Sequence, residues 1–409
     1  MNPTDIVITG LGVTSAFGPT CTAFLAGLRR GQTAIRPLSR FDASGCRSGL
    51  VGQAPDPVFP ASFVVPAHAS RPDAFGLVAA LAAVTDAGLS AEALRQAAIS
   101  FGTGVGGAEH TEEYLRTLMR LDGTAQPPPA SMLIAHQPAA VTDLVARALG
   151  SHGPRATFMT ACSSSALAIS QGRDQILLGH ADIAVCGGAE GLCPLTTAGF
   201  SALRATSPDL CRPFDRDRKG LNLGEGAAVL ILESAEHARR RGARVYARLI
   251  GTGLSCDAYH MTAPQPQGEG ALLAMRAACR DAGIAVEAIE YINAHGTGTP
   301  HNDAAESAAM RSLLGAHTPR VPISSIKSLV GHTLGAAGAI EAVASVLSIV
   351  NGILPPTAQL EVPDPAFRVE GAPDFDFIQG AARSQTCSVV LSNSFAFGGN
   401  NAALLFAAA

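Results

Sequence analysis

Charge is scarce in this chain of 409 residues: Asp, Glu, Lys and Arg make up 15 %, against 47 % hydrophobic residues. That balance excludes a disordered chain and implies a globular protein with much buried surface. No Lys/Arg run exceeds a few residues and the formal net charge is −4, which argues against nucleic acid as a partner. The short basic stretch 238–244 reads as a solvated helix face. The first residues lack a basic region followed by a long apolar stretch, so no signal peptide is expected. The most apolar helical stretch, Ala336–Val350, is interrupted by Glu341 and too short to span a bilayer, so no membrane partner is expected. The nine cysteines are an odd number with no CxxC pair. They point to a reducing cytoplasm and packed thiols rather than disulfides or zinc.

What is present is an alternation. Short β-branched runs such as "DIVITGLG" (Asp5–Gly12), read as a strand ending in a glycine turn, alternate with Ala/Leu-rich helical runs such as Phe75–Ala87, closed by Gly88. Strand–helix alternation along the whole chain means α/β layers, and strands apolar on both faces should lie beneath helices. The length fits two similar halves, divided near residue 252 into 1–252 and 253–409.

Four stretches carry chemistry. "TACSSSA" (Thr160–Ala166) places Cys162 between a predicted strand and a predicted helix. Helix-start N–H groups favour a thiolate there, Ser163–Ser165 can cap the turn, and small neighbours leave room for an acyl group. A lone cysteine is nevertheless more often a small core residue. "NAHGTGTPHND" (Asn293–Asp303) brings His295 into a Gly/Thr loop beside Thr297 and Thr299. His295, His301 and Asp303 do not have the spacing of a metal motif, so no metal is expected. "SSIKSLVGHTLGAAGAIEA" (Ser324–Ala342) holds Lys327, His332 and Glu341. A Glu in an otherwise apolar helix needs a partner, and Lys327 is the natural candidate. "SNSFAFGGNNA" (Ser392–Ala402) is a strand entering a glycine loop in which Phe397 can gate a pocket. The early "GLGVTSAFG" lacks the third glycine of a dinucleotide loop.

Together these stretches resemble the elongating β-ketoacyl-acyl carrier protein synthases with a Cys-His-His site, possessing four motifs in the right order along nearly the whole chain. The resemblance implies a thiolase-like α/β fold: two similar halves in five layers (α-β-α-β-α), assembled as a homodimer or as a heterodimer with a ketosynthase-like subunit. It implies no cofactor, only the phosphopantetheine arm of an acyl carrier protein as substrate handle. Position by position, it makes Cys162 the nucleophile, His295 and His332 the pair at the malonyl carbonyl, and Lys327 and Glu341 the ordering charge pair. Asp303 and Glu306 belong to the adjoining network, and Thr297 and Thr299 hold the phosphopantetheine. Phe397 gates the pocket, and its N–H forms the oxyanion hole with that of Cys162. Val105 and Phe200 line the acyl pocket, with Met132, Leu133 and Ile134 near its floor and contributed by the partner subunit. Residues 257–270 match a second mobile loop.

The sequence departs from the family at Ala396 and Asn400, where Gly and Thr are usual. "RKGLNLGEG" and "GTGTPHND" resemble the aryl-polyene or related type II polyketide subgroup. The family's acidic carrier protein implies a basic patch at the pocket mouth, with Arg71 and Arg204 as candidates. Competing readings are a degradative thiolase acting on coenzyme A esters, which would want a second cysteine in the last loop, and a non-catalytic chain-length subunit, which would lack Cys162. A starter-type synthase would have Asn in place of His332.

Overall fold

The computed structural model describes residues 5–59, 66, 68–120 and 126–409. Ten strands build its sheet framework: β1 (Ile6–Thr14), β2 (Ala98–Gly102), β3 (Arg155–Phe158), β4 (Ile183–Glu190), β5 (Gly226–Ser234), β6 (Ala247–Cys256), β7 (Tyr291–Asn293), β8 (Pro322–Ser324), β9 (Val389–Phe395) and β10 (Asn400–Ala407). The helices that position the site are α1 (Arg71–Ala87), α2 (Ala140–Leu149), α3 (Ser164–Leu177), α4 (Glu269–Ala282), α5 (Pro300–Leu314) and α6 (Ala337–Asn351).

The strand order is β3-β2-β4-β5-β1 and then β6-β10-β9-β7-β8, with the short strand Asp376–Phe377 beyond β8. Each half follows the same rule. Its first strand pairs antiparallel with its fifth, the fifth antiparallel with the fourth, and the remaining neighbours are parallel. The halves join where β1 meets β6, Val7 opposite Arg248. The second set of strands opens with β6, which spans position 252.

Helices α1 and α2 cover the outer face of the first half, and α4 and α5 that of the second. Helices α3 and α6 pack against each other between the two halves. The result is five layers, with β1, β4 and β5 buried on both faces as their apolar runs require. The apolar helical stretch is longer than the sequence suggests: α6 with its preceding turn, Leu334–Asn351, is the one segment among the described residues long and apolar enough to cross a bilayer, but most of it is buried in this central layer.

One local expectation is corrected. The strand at Asp5–Gly12 does not end in a glycine turn; β1 runs through Gly10 and Gly12 to Thr14. These glycines serve close packing. A Cβ on Gly12 would lie 2.0 Å from the Ala79 carbonyl oxygen of α1, and one on Gly10 would lie 2.3 Å from that of Ala83.

The central helices begin alike. Ala161 (φ 51°) opens a 3₁₀ turn, Ala161–Ser163, that leads into α3; Leu334 (φ 47°) opens another, Leu334–Ala336, that leads into α6. Positive φ is uncommon and strained for such residues, and such strain gathers at functional sites. The two turns face each other across the centre. "MTACSSSA" and "HTLGAAGA" therefore occupy equivalent places in the two halves.

Gly12→Val should lower stability by ~1–3 kcal/mol, the usual cost of overpacking. Urea denaturation measures this, and an unchanged midpoint would contradict the packing account.

Candidate active site

The turn before α3 holds Cys162 by short local hydrogen bonds. The Ser163 hydroxyl donates to the Thr160 carbonyl at 2.9 Å, the Ser164 hydroxyl to the Ala161 carbonyl at 2.6 Å, and the Thr160 N–H to Ser164 Oγ at 2.9 Å. The serines thus bracket the strained Ala161. Cys162 Sγ lies 3.0 Å from His332 Nε2. The Phe397 N–H also points at the sulfur. Sγ and the nearest ring nitrogens of His295 and His332 lie within 4.8 Å of one another. The two rings meet edge to face with centroids 5.4 Å apart.

Hydrogen bonds behind the rings fix their tautomers. Lys327 Nζ lies 3.2 Å from His295 Nδ1 and donates to the His295 carbonyl at 2.7 Å. An ammonium has only donors, so Nδ1 is the bare acceptor and Nε2 carries the proton. The Leu334 N–H donates to His332 Nδ1 at 3.3 Å, which leaves the proton of that ring on Nε2 as well. Both rings therefore carry an Nε2–H group, that of His332 toward Cys162. Burial first, then the Lys327 charge, holds both imidazoles well below their ordinary pKa of 6.5. They are neutral at neutral pH.

Lys327 forms a buried ion pair with Glu341 Oε1 of α6, as the sequence reading expects. Burial raises the Glu341 carboxyl, and the ammonium pulls it back. Two carboxylates of α5 hold the Gly/Thr loop. Glu306 accepts the His295 and Gly296 N–H groups, both at 2.8 Å, and Asp303 accepts those of Phe214 at 2.8 Å and Gly298 at 3.2 Å. Three residues apart, they share one helical face.

The thiol departs from expectation. Burial pushes Cys162 up to about 12, with the Lys327 charge and the Phe397 N–H acting in the opposite direction. At this buried position desolvation outweighs any helix-start effect, so the resting group is a neutral thiol. The three donor residues are close enough to close on a soft divalent metal, at the expense of these protons.

Cys162, His295, His332, Thr297, Thr299 and Phe397 line one cavity of about 650 Å³. The Thr297 and Thr299 hydroxyls lie 2.9 Å apart on its wall. Phe397 stacks on Phe200 with centroids 5.7 Å apart. Residues of the 257–270 segment line the cavity too, and this segment is tied to the Phe397 loop: the Gly398 N–H donates to the Met261 carbonyl at 2.8 Å, and the Asp257 N–H to that of Gly399 at 2.9 Å. Ala396 is extended (φ −122°), a conformation open to any residue.

Not every candidate reaches the cavity. Val105 does not line it, nor do Met132, Leu133 and Ile134; Ile134 lies exposed on the surface of this chain. Arg204 sits at the cavity, but Arg71 is corrected. Its guanidinium is turned inward onto the buried Glu225, with bonds of 2.9 and 2.7 Å, and has no free face for a docking patch. Arg47 and Lys219 do line the cavity; nothing in their sequence neighbourhoods separates them from ordinary surface cations.

A thiol and two neutral Nε2–H imidazoles in one cavity, at the junction of two like halves, define a thiol-dependent acyltransferase of thiolase-like fold. Comparison with known proteins agrees. Residues 4–238 match the β-ketoacyl synthase N-terminal domain and residues 246–361 the C-terminal domain. The chain is 40 % identical to "3-oxoacyl-[acyl-carrier-protein] synthase 2" of Synechocystis sp., over 98 % of this chain and 97 % of that protein. It superposes on the ishigamide ketosynthase/chain length factor with a TM-score of 0.92 at 35 % identity, covering 99 % of each chain. It also superposes on a type II polyketide ketosynthase bound to its hexaketide and in complex with its acyl-carrier protein, with a TM-score of 0.90 at 30 % identity over the full length of both. The chain belongs to the β-ketoacyl synthase family. It is an acyltransferase that elongates acyl chains on carrier protein, for fatty acid or type II polyketide synthesis.

Lys327→Met leaves Glu341 buried without its cation and should cost ~3–5 kcal/mol. The double replacement Lys327→Met/Glu341→Leu should return stability close to that of the unaltered protein, because well-packed apolar residues substitute for a buried pair. Chemical denaturation of both variants checks this; a single variant as stable as the parent would contradict the pairing.

Proposed function

We propose that Cys162 carries the growing acyl chain as a thioester, and that His295 and His332 stabilise the enolate formed when malonyl-carrier protein loses CO2. The observation that supports this division is the pair of Nε2–H groups, each fixed from behind by a donor on Nδ1. In the first half-reaction the sulfur of Cys162 attacks the acyl-carrier thioester, and the Cys162 and Phe397 N–H groups receive the tetrahedral oxyanion. The proton of Cys162 passes to the departing carrier sulfur, which leaves as a thiol. Opening of the Phe200–Phe397 stack admits water and the acyl chain, which lowers the desolvation cost that keeps the thiol neutral.

In the second half-reaction malonyl-carrier enters along Thr297 and Thr299. Breaking the bond to CO2 leaves an electron pair on the α-carbon, delocalised onto the thioester oxygen. Neutral N–H donors suit that oxygen because they stabilise the charge without protonating it. The carbanion then attacks the acyl-Cys162 carbonyl and expels the Cys162 thiolate, which takes up one proton from solvent to restore the resting thiol. The product is a β-ketoacyl chain two carbons longer. Lys327 and Glu341 order the site, with Asp303 and Glu306 holding the loop that carries His295.

The acyl chain is taken to pass Phe200 and Val105 toward a floor completed by Met132, Leu133 and Ile134 of a neighbouring subunit, in a homodimer or in a heterodimer with a ketosynthase-like subunit. The exposure of Ile134 and the likeness to a ketosynthase/chain length factor pair support this. That likeness also supports a place in the type II polyketide or aryl-polyene subgroup. Arg204, with Arg47 and Lys219, is the candidate docking surface for an acidic carrier protein. Nine free cysteines, most of them buried, fit a cytoplasmic setting.

Intact-mass measurement after exposure to acyl-carrier thioesters tests the nucleophile. Cys162→Ala should show no acyl adduct and no condensation while retaining malonyl decarboxylation; chain elongation by that variant would overturn the assignment. His332→Ala should slow decarboxylation by ~10²–10³-fold, as expected for loss of one donor to a developing oxyanion, while acyl loading falls less. Equal loss of the two rates would contradict the assigned roles.

A further inference from the structure

Glu190 ends β4, is fully buried, and forms no ion pair among the described residues. Its carboxylate instead collects backbone donors from both halves. Oε2 accepts the Gly104 N–H at 2.5 Å and the Gly335 N–H at 3.0 Å; Oε1 accepts that of Val105 at 3.4 Å. Burial pushes this carboxyl up to about 7, and its charge is felt at Cys162. A carboxylate kept in such a place without a cation is costly, and such groups gather at functional sites.

The segments it joins matter. Gly104 and Val105 lie in the loop that leaves β2, and the far end of that loop is tied by the Gly107 N–H to the Ala135 carbonyl at 2.8 Å, next to Met132–Ile134. Gly335 lies three residues beyond His332 and is the counterpart, in the second half, of Cys162 in the first. The crossing is too tight for side chains other than that of Glu190: a Cβ on Gly335 would lie 2.3 Å from the Gly104 nitrogen, and one on Gly104 2.5 Å from Glu190 Oε2.

We propose that Glu190 is a positioning residue that clamps the Val105 loop to the turn following His332, and thereby sets which acyl chain lengths the enzyme accepts. Val105 does not line the cavity of this structure, so the clamp acts on the proposed acyl route beyond that cavity. Its donors spread over two residues of the loop and one of the turn, so its loss lets the loop withdraw and lengthens the space beyond Val105. The inference rests on the reading that the acyl chain passes Val105.

The test loads the intact enzyme with a panel of saturated acyl-carrier thioesters, short to long, and reads acyl-Cys162 by intact mass for the unaltered protein, Glu190→Gln and Val105→Phe. Glu190→Gln keeps the volume but turns an amide N–H toward at least one of the three donors. It should raise the ratio of long to short chains loaded by at least ~10-fold, the scale on which pockets discriminate by chain size. Total loading of the shortest chain and the thermal midpoint should change little, which a merely structural role would not give. Val105→Phe should shift the ratio toward short chains. An unchanged length profile in a folded Glu190→Gln beside a shifted one in Val105→Phe overturns the clamp alone. Unchanged profiles in both overturn the placement of the acyl channel and the clamp with it. Should Glu190→Gln not fold, Gly104→Ala presses on the same carboxylate oxygen and is expected to shift the ratio in the same direction; a wild-type profile there overturns the clamp.

Discussion

The site depends on one buried ammonium. Lys327 is enclosed by Glu341, the His295 carbonyl and His295 Nδ1. A charge so buried is costly unless its donors are all used, and here the fold supplies acceptors from three directions. The consequence is chemical. Because the ammonium only donates, it dictates which nitrogen of His295 is bare, and its charge adds to burial in keeping the ring from becoming imidazolium. The same charge helps keep His332 neutral, while a backbone N–H fixes that second ring's tautomer. An enzyme that must steady an enolate oxygen without protonating it needs such rings: donors of hydrogen bonds rather than acids.

The fold delivers the parts by repeating itself. Two halves with the same strand order each send a helix into the central layer, and each helix starts from a turn with a residue at positive φ. One turn presents Cys162; the other is preceded by His332 and pinned at Gly335. Their meeting, 3.0 Å from sulfur to nitrogen, follows from near-symmetric packing of α3 against α6 rather than from any local motif. Glu341 joins from the body of α6 and Lys327 from the short helix just before it. The charge pair, both imidazoles and the thiol are thus bound to the same interface between halves.

Much of this was legible in the sequence, and the reasons differ from residue to residue. Alternating apolar runs announced α/β layers because buried strands must be apolar on both faces. Glu341 announced its partner because a lone carboxylate in an apolar helix has to be neutralised. The roles of Cys162, His295 and His332 came from resemblance, since spacing along the chain says nothing of a contact made across 170 residues. The glycines of β1 misled because close packing against α1 and a turn select the same residue. Arg71 misled because charge alone does not reveal whether an arginine faces water or a buried Glu225. The thiol pKa was misjudged because a helix start can be read from sequence while the burial of the sulfur cannot. Glu190 gave no signal, for its donors are backbone groups, which composition never shows.

The central claim is best tested by nitrogen-15 NMR of histidine-labelled enzyme, with the two rings assigned by single replacement variants. At neutral pH both His295 and His332 should appear as neutral Nε2–H tautomers, and Lys327→Met should disturb that state in His295. An imidazolium, or an Nδ1–H tautomer, in either ring of the unaltered enzyme would contradict the account.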